Sequence, residues 1–542
     1  MEKENNTRNI LNSVTIRYAK KYGLSILLYI LFDLALLFIG IINPRISGEY
    51  INALVNHAIY ETVIHYVVLV IIISLINIIF YYLARLSQKK LSLHLKYAIE
   101  KEIYLNLKEK QINELQKSDA SFLTQKIMQS TDIFVDFWIS FLNVCIKIVQ
   151  TIIIIILLYQ INYKVFSVLA LMILLYVIIY LLLKRQIFKS NYTVQNINNE
   201  LYKEIKQQID NIKTIRCLSV FSFFEKRLNK KYIQFIKISI SNNILITIFL
   251  SVNLIINKAA TIVVFFYGGM QVIAGSLSVG YYTILMSYFN SVLDGISTFF
   301  VFANQFEKYE AAKKRIEEIL AIPNEKDGEI CVGELNSIKV NNLSYTISRK
   351  IVIENFSYSF NKGYIYCIKG KNGTGKSTFI DIFLGLISGY SGEIVVDGYE
   401  LANINKSYYR KQYISALLQS TFLFDGSMKE NIFFDNQVRD KKLCNLLDAL
   451  GFNEFWAEKG INYIINEKNS NLSGGERQKI LLLRTLYKES ALLILDEPTS
   501  WLDNVSCYKL CEQLKREKKD RITIFVTHDK VLEEIADYVI LF

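Results

Sequence analysis

The sequence predicts a multi-domain membrane protein: an all-α transmembrane domain of six helices, followed by an α/β domain built on a phosphate-binding loop. Three observations carry this reading. Hydrophobic residues make up 52% of the chain, high for a soluble protein, and the long apolar runs all lie before residue 304. Beyond them, short apolar runs alternate with polar, helix-like segments, as α/β domains do. Among these lies Gly370-Lys371-Asn372-Gly373-Thr374-Gly375-Lys376-Ser377-Thr378, between the strand-like Tyr364–Ile368 and the helix-like Phe379–Leu384. Strand, glycine loop and helix in that order are the context a phosphate-binding loop requires.

Residues 1–22 mix Ile10, Leu11, Val14 and Ile16 with Arg8, Arg17, Lys20 and Lys21, and are expected to form an amphipathic elbow helix along the membrane surface. Residues 23–322 form the transmembrane domain. About 20 apolar residues cross the hydrocarbon core of a bilayer, and six runs have that length: 23–43, 63–84, 137–159, 164–183, 243–270 and 281–303. The stretches 85–133 and 184–240 are long and rich in Lys and Arg; the other connections are short and poor in them. Cytoplasmic loops carry the excess of basic residues. Both stretches, both termini and the second domain are therefore expected on the cytoplasmic side of a bacterial cell membrane, with the helices continuing into the cytosol and the two stretches coupling them to the second domain. The formal charge of +12 has the same explanation, and nucleic acid is not expected as a partner. Pro44 is expected to end or bend the first span at its outer end. The seven cysteines are odd in number and scattered, which reads as a reduced set.

A charged side chain at mid-span costs about 2.5–3.5 kcal/mol. The chain nevertheless places Asp33, Lys147, Lys258 and Asp294 in the first, third, fifth and sixth spans. Asn143 with Lys147, Asn253 with Asn257, and Asn290 with Asp294 each stand four apart, on one helix face. The repeated stripe predicts a common hydrophilic cavity lined by these residues. Pairing between spans, or asparagine glue between helices, is the alternative.

Lys313–Leu320 end a charged amphipathic helix, which Pro323, Asn324 and Gly328 break. Residues 323–335 are expected as a linker and 336–542 as the nucleotide-binding domain. In the phosphate loop, Gly370, Gly373 and Gly375 let backbone N–H groups turn inward around a polyphosphate, with Asn372, Thr374 and Thr378 beside them. Lys376 reaches the β- and γ-phosphates, and the Ser377 hydroxyl is placed to ligate Mg²⁺. Further on, Ser473 and Glu476 form a capping box at a helix start; Gly474 and Gly475 between them suit close approach to an anion there. The apolar Ala491–Leu495 ends in Asp496 and Glu497. A carboxylate at the end of a buried strand beside a phosphate loop is placed to hold Mg²⁺, and its neighbour to orient an attacking water. Another strand, Ile522–Thr527, ends at His528. A lone histidine is more often structural, but a strand end in the same sheet points to catalysis.

Together these residues resemble an ATP-binding cassette, and over the whole chain an ABC transporter of the exporter type: a half-transporter with six spans fused to one P-loop ATPase domain. Leu472–Glu476 is similar to the family signature. Leu417-Leu418-Gln419 with Thr421–Ser427 resembles the Q-loop, where Gln419 would sense Mg²⁺ and water. Ser500-Trp501-Leu502-Asp503 resembles the D-loop, with Trp501 in place of a small residue, and His528 the switch histidine. The resemblance implies a dimer, a homodimer by preference because every catalytic position is filled. Each ATP would lie between the phosphate loop of one subunit and Ser473, Gly474, Gly475 and Glu476 of the other. Where the family has an aromatic on adenine this chain has Ile347, with Tyr345 as the substitute, and Asn469 stands where the loop before the signature usually has glycine. The expected activity is ATP-driven export across the membrane lipid by alternating access. The cargo favoured is a peptide or amphipathic small molecule, because the predicted cavity is polar. A lipid flippase, or an importer built on the same fold, is the alternative.

Overall fold

The computed structural model describes residues 17, 20–57, 59–116, 120–347, 350–371, 373–419, 421–434, 438–466 and 471–542. Most of the expected elbow, together with Asn372 and Asn469, lies outside them. The chain forms two compact units, Met1–Lys108 with Ala120–Ala321, and Glu109–Asp119 with Ile322–Phe542.

The first unit is built on the long helices Gly23–Val55, Tyr60–Leu107, Ala120–Ile161, Tyr163–Asp210, Phe221–Ile273 and Val279–Leu320. Each apolar run read from the sequence falls inside one of them. Among the described residues, five helices are long and apolar enough to cross a membrane, and the remaining apolar stretch is Tyr163–Ile179. Tyr60–Leu107 has 48 residues. At about 1.5 Å per residue it is about 72 Å long, over twice a hydrocarbon thickness of about 30 Å, so the helix continues well past the bilayer. Ile78, Leu254 and Phe266 are more than 60% exposed on these helices, as lipid-facing positions would be. Ile154, Leu158, Leu169, Leu285, Phe289 and Val292 pack the unit's interior.

Pro44 does not end the first helix, which runs through it to Val55. The proline removes one N–H, a loss that neighbouring helices can make good. Tyr288 Oη donates to the Ile41 carbonyl in the turn before Pro44, at 2.7 Å. Beyond it the first and last helices approach closely: a Cβ on Gly280 would lie 2.0 Å from the Gly48 carbonyl oxygen. The Gly280 N–H donates to Asn52 Oδ1 at 2.8 Å.

The second unit contains the strands β1 (Ser337–Ile347), β2 (Lys350–Asn361), β3 (Ile365–Lys369), β4 (Ser391–Val396), β5 (Tyr399–Glu400), β6 (Ile414–Leu417), β7 (Gly426–Ser427), β8 (Ile464–Ile465), β9 (Leu492–Asp496), β10 (Ile522–Val526) and β11 (Tyr538–Leu541). β3, β6, β9 and β10 are almost wholly apolar and buried, as strands covered on both faces must be. They form a parallel sheet in the order β11-β3-β10-β9-β6, beside an antiparallel sheet β2-β1-β4-β5. The stretch expected as a linker is tied down. Arg410 pairs with Glu325 through two bonds of 2.7 Å, and the Gly328 N–H donates to the Ile404 carbonyl at 3.0 Å. A Cβ on Gly328 would lie 2.1 Å from the Asn403 carbonyl, so only glycine fits this approach. Glu109–Asp119 joins the unit through Gln111, whose N–H donates to the Pro323 carbonyl at 2.9 Å.

Candidate functional site

Strand register brings the sequence motifs to one edge. Val526 of β10 stands level with Ile368 of β3 on one side and Asp496 of β9 on the other. Leu417 of β6 pairs with Leu495 of β9. The residues just past these positions are therefore neighbours: Gly370 onward after β3, Thr527 and His528 after β10, Glu497 after β9, and Gln419 after β6. The carboxyl ends of parallel strands are where such sheets bind ligands.

The phosphate loop has the conformation its glycines allow. Gly373 and Gly375 have φ of +83° and +97°, the left-handed region. A Cβ on Gly375 would lie 2.7 Å from the Val352 carbonyl oxygen, so only glycine fits this approach of the loop to β2. Gly375 caps the helix Lys376–Phe383. Lys376 Nζ donates to the carbonyls of Gly370 at 2.7 Å and Lys371 at 3.0 Å, which holds the ammonium over the loop. Thr374 Oγ1 donates to the Lys371 carbonyl at 2.9 Å. Ser377 is exposed and Thr378 half-buried in the first turn of the helix.

Asp496 is buried at the end of β9. Burial, then the charge of Glu497, push its carboxyl up to about 6, against the opposing pull of Lys376 and the Gln419 backbone amide. Ser377 hydroxyl, Asp496 carboxylate and Gln419 amide make an oxygen donor set, which is what Mg²⁺ takes; the residues fit the ion. Glu497 has φ of +49°, unusual for a non-glycine residue. Its N–H donates to the Val526 carbonyl at 2.8 Å, and Ser500 Oγ donates to its carboxylate at 3.4 Å. His528 is exposed beside the buried Thr527.

The signature segment is a helix start. Ser473 caps Gly474–Tyr487 in a capping box with Glu476. Lys459 sits 3.2 Å from the Glu476 carboxylate. Burial would raise that carboxyl, but hydrogen bonds from Ser473 and Lys459 outweigh it and hold it below the ordinary glutamate value. The glycines have a second reason that the sequence did not disclose. A Cβ on Gly474 would meet the Trp501 ring at 3.1 Å, and one on Gly475 the Trp501 carbonyl oxygen at 2.9 Å. Trp501 itself has φ of +72° and is 79% exposed. Asp503 caps the helix Asn504–Glu517, accepting from the Ser506 N–H at 2.8 Å. Tyr345 is half-buried in β1 and accepts from Asn113 Nδ2 at 3.3 Å, while Ile347 is exposed at the strand's end.

In the membrane unit, a cavity of about 440 Å³ brings together Asp33, Asn143 and Lys147. Arg85, Gln150 and Thr298 also line it. Arg85 was hidden among the basic residues that follow the second span; Gln150 extends the Asn143–Lys147 stripe and could have been read from it. Asn253, Asn257, Lys258, Asn290 and Asp294 do not line this cavity. Asn290 and Asp294 are exposed, because Phe289, Val292 and Leu293 take the packed face of their helix. The stripes thus converge only in part.

Comparison with known proteins agrees with this division. The ABC transporter transmembrane region family matches residues 26–296 and the ABC transporter family matches residues 353–500. A Rickettsia bellii protein named for export, an ATP-binding/permease protein, is 25% identical over 97% of this chain and 92% of its own. The nisin transport ATP-binding protein NisT of Lactococcus lactis is 34% identical over 38% of this chain and 35% of its own. An ATP-dependent lipid A-core flippase of Syntrophus aciditrophicus is 27% identical over 58% and 53%. The structure of a bacterial Atm1-family ABC exporter with ATP bound superposes with a TM-score of 0.85, at 15% identity, over 97% of this chain and 94% of that one. The chain belongs to the ABC transporters, as a membrane-embedded, ATP-hydrolysing transporter of exporter fold with its transmembrane and ATP-binding regions fused in one polypeptide.

Proposed function

We propose that two copies of this chain form an exporter that couples ATP hydrolysis to outward movement of a peptide or amphipathic small molecule by alternating access. The observation that carries the reading is the edge of the parallel sheet, past which the phosphate loop, Gln419, Asp496, Glu497 and His528 follow neighbouring strands, so that a residue of each kind the expected chemistry calls for is present. A chain with a complete set needs no different partner to supply one. Gly370–Thr378 would cradle the phosphates of ATP, and Lys376 would offset their charge. Ser377, Asp496 and Gln419 would hold Mg²⁺, which supplies charge stabilisation at the phosphates when bound. Glu497 would accept a proton from the attacking water, and His528 would hold the γ-phosphate side of the site. Ser473 to Glu476 would close the site from the second subunit, and Asp503 would lie near that junction. Tyr345, with Ile347, is the residue nearest in kind to an adenine contact. The membrane helices would carry both termini and the ATP-binding unit on the cytoplasmic side.

The lipid A-core flippase among the relatives favours a second reading, a lipid cargo. Proteoliposomes that contain the purified protein separate the two. ATP-dependent accumulation of a labelled peptide mixture, lost in Glu497→Gln, is the expected result. Transbilayer movement of labelled lipid without peptide transport would favour the flippase. Cargo moving toward the face that carries the ATP-binding unit would mean import.

A further inference from the structure

We propose that the polar cavity of the membrane unit binds an oxyanionic group, carboxylate or phosphate, on an amphipathic cargo; this rests on the transport reading above. The cavity lies between four different long helices, and its volume of about 440 Å³ is within the range of small-molecule sites. Its charges do not cancel. Arg85 and Lys147 face a single carboxylate, Asp33. Among the described residues, no ion pair within 4.0 Å joins Asp33 to either cation. Neutral amides hold the cations instead: Lys147 Nζ donates to Gln150 Oε1 at 3.0 Å, and Arg85 Nη1 to Gln88 Oε1 at 2.7 Å. Each such bond uses one donor of a group that has three or five. Tyr29 Oη donates to Asn143 Oδ1, which leaves the Asn143 amide N–H groups as further donors.

A site so built is rich in donors and carries one positive charge in excess. Lys147 stands at mid-span, where a charge is expensive unless it is compensated, and Arg85 stands just past the end of the second span. An oxyanion compensates this excess and accepts from Lys147 and Arg85 in charge-assisted bonds. Leu36, Leu37 and Ile146 form the apolar part of the wall, against which an alkyl or side-chain portion packs. Asp33 then disfavours a second negative charge on the cargo and accepts from a donor such as an amide N–H.

The test measures binding of N-octanoylglycine, octyl phosphate, and the neutral N-octanoylglycinamide to the full-length protein in nanodiscs. The two anions are expected to bind at least tenfold more tightly than the amide. Lys147→Gln is expected to weaken anion binding about tenfold, Lys147→Arg to retain it, and Asp33→Asn to tighten it. Unchanged size-exclusion elution and nucleotide binding report that the variants are folded. Binding of one anion and not the other supports the site and assigns its chemistry. Equal binding of anion and amide, or a Lys147→Gln variant that binds as wild type, overturns the proposal. ATP-dependent transport of other cargo alongside that result would leave the transport reading standing. Anion preference without any ATP-dependent transport would leave the site standing and remove the transport reading.

Discussion

Asp496 lies beside charges of both signs, and under the proposed function its protonation would set the pH at which the site can hold Mg²⁺. Its carboxyl is raised from 3.8 to about 6 by burial and by Glu497. A raised carboxyl stays protonated to higher pH, so the ionised form that binds metal is present above about pH 6 and lost below it. The Mg²⁺ concentration for half-maximal ATP hydrolysis is therefore expected to be flat above pH 7 and to climb about tenfold per unit below pH 6. Asp496→Asn should abolish that slope, and a wild-type profile flat down to pH 5 would contradict the assignment. The signature glycines make a second prediction. Gly475→Ala would press a Cβ against a backbone carbonyl at 2.9 Å, whereas Gly474→Ala meets an exposed ring at 3.1 Å that can tilt aside. The first should destabilise by about 1–3 kcal/mol and the second by clearly less, measured by thermal unfolding without nucleotide. The phosphate loop, Asp496, Glu497 and His528 were legible because each directly follows an apolar run that marks a strand end. The approach of Trp501 was not, because it depends on a left-handed turn that no pattern announces.

Among the elements, the apolar runs mark the places of the membrane helices and the long basic connections their continuation into the cytosol, but not where each helix ends. Polar residues continue the helical backbone past the hydrocarbon, so Tyr60–Leu107 and Phe221–Ile273 extend far beyond the runs that betray them. That Pro44 does not end its helix has a related reason: the neighbouring helix takes up what the proline disturbs. The crossing of the first and last long helices rests on the Gly48–Gly280 contact. Gly280→Leu should push them apart and destabilise by about 1–3 kcal/mol or more. Gly269→Leu is the control, since nothing lies within 4 Å of a Cβ there. Equal thermal shifts for the two variants would argue against the crossing.

For the whole molecule, the chain passes into its ATP-binding unit twice, through Glu109–Asp119 and again from Ile322 onward. The first passage lies within 85–133, one of the two basic stretches expected to couple the helices to the second domain; which residues of it join that unit is not written in a pattern. It is fixed by contacts distant in sequence, Lys110 Nζ donating to Asn324 Oδ1 at 2.7 Å and Asn113 to Tyr345. The two passages leave three covalent junctions between the units, at 108/109, 119/120 and 321/322. Under the proposed function this chain, with no second gene product, forms a complete ATPase at the carboxyl edge of its parallel sheet. Steady-state ATP hydrolysis by the purified chain in liposomes tests it most directly. Mg²⁺-dependent turnover that falls at least about a hundredfold in Glu497→Gln is the expected result. Equal rates in the two proteins, or turnover that appears only when a different polypeptide is added, would contradict it.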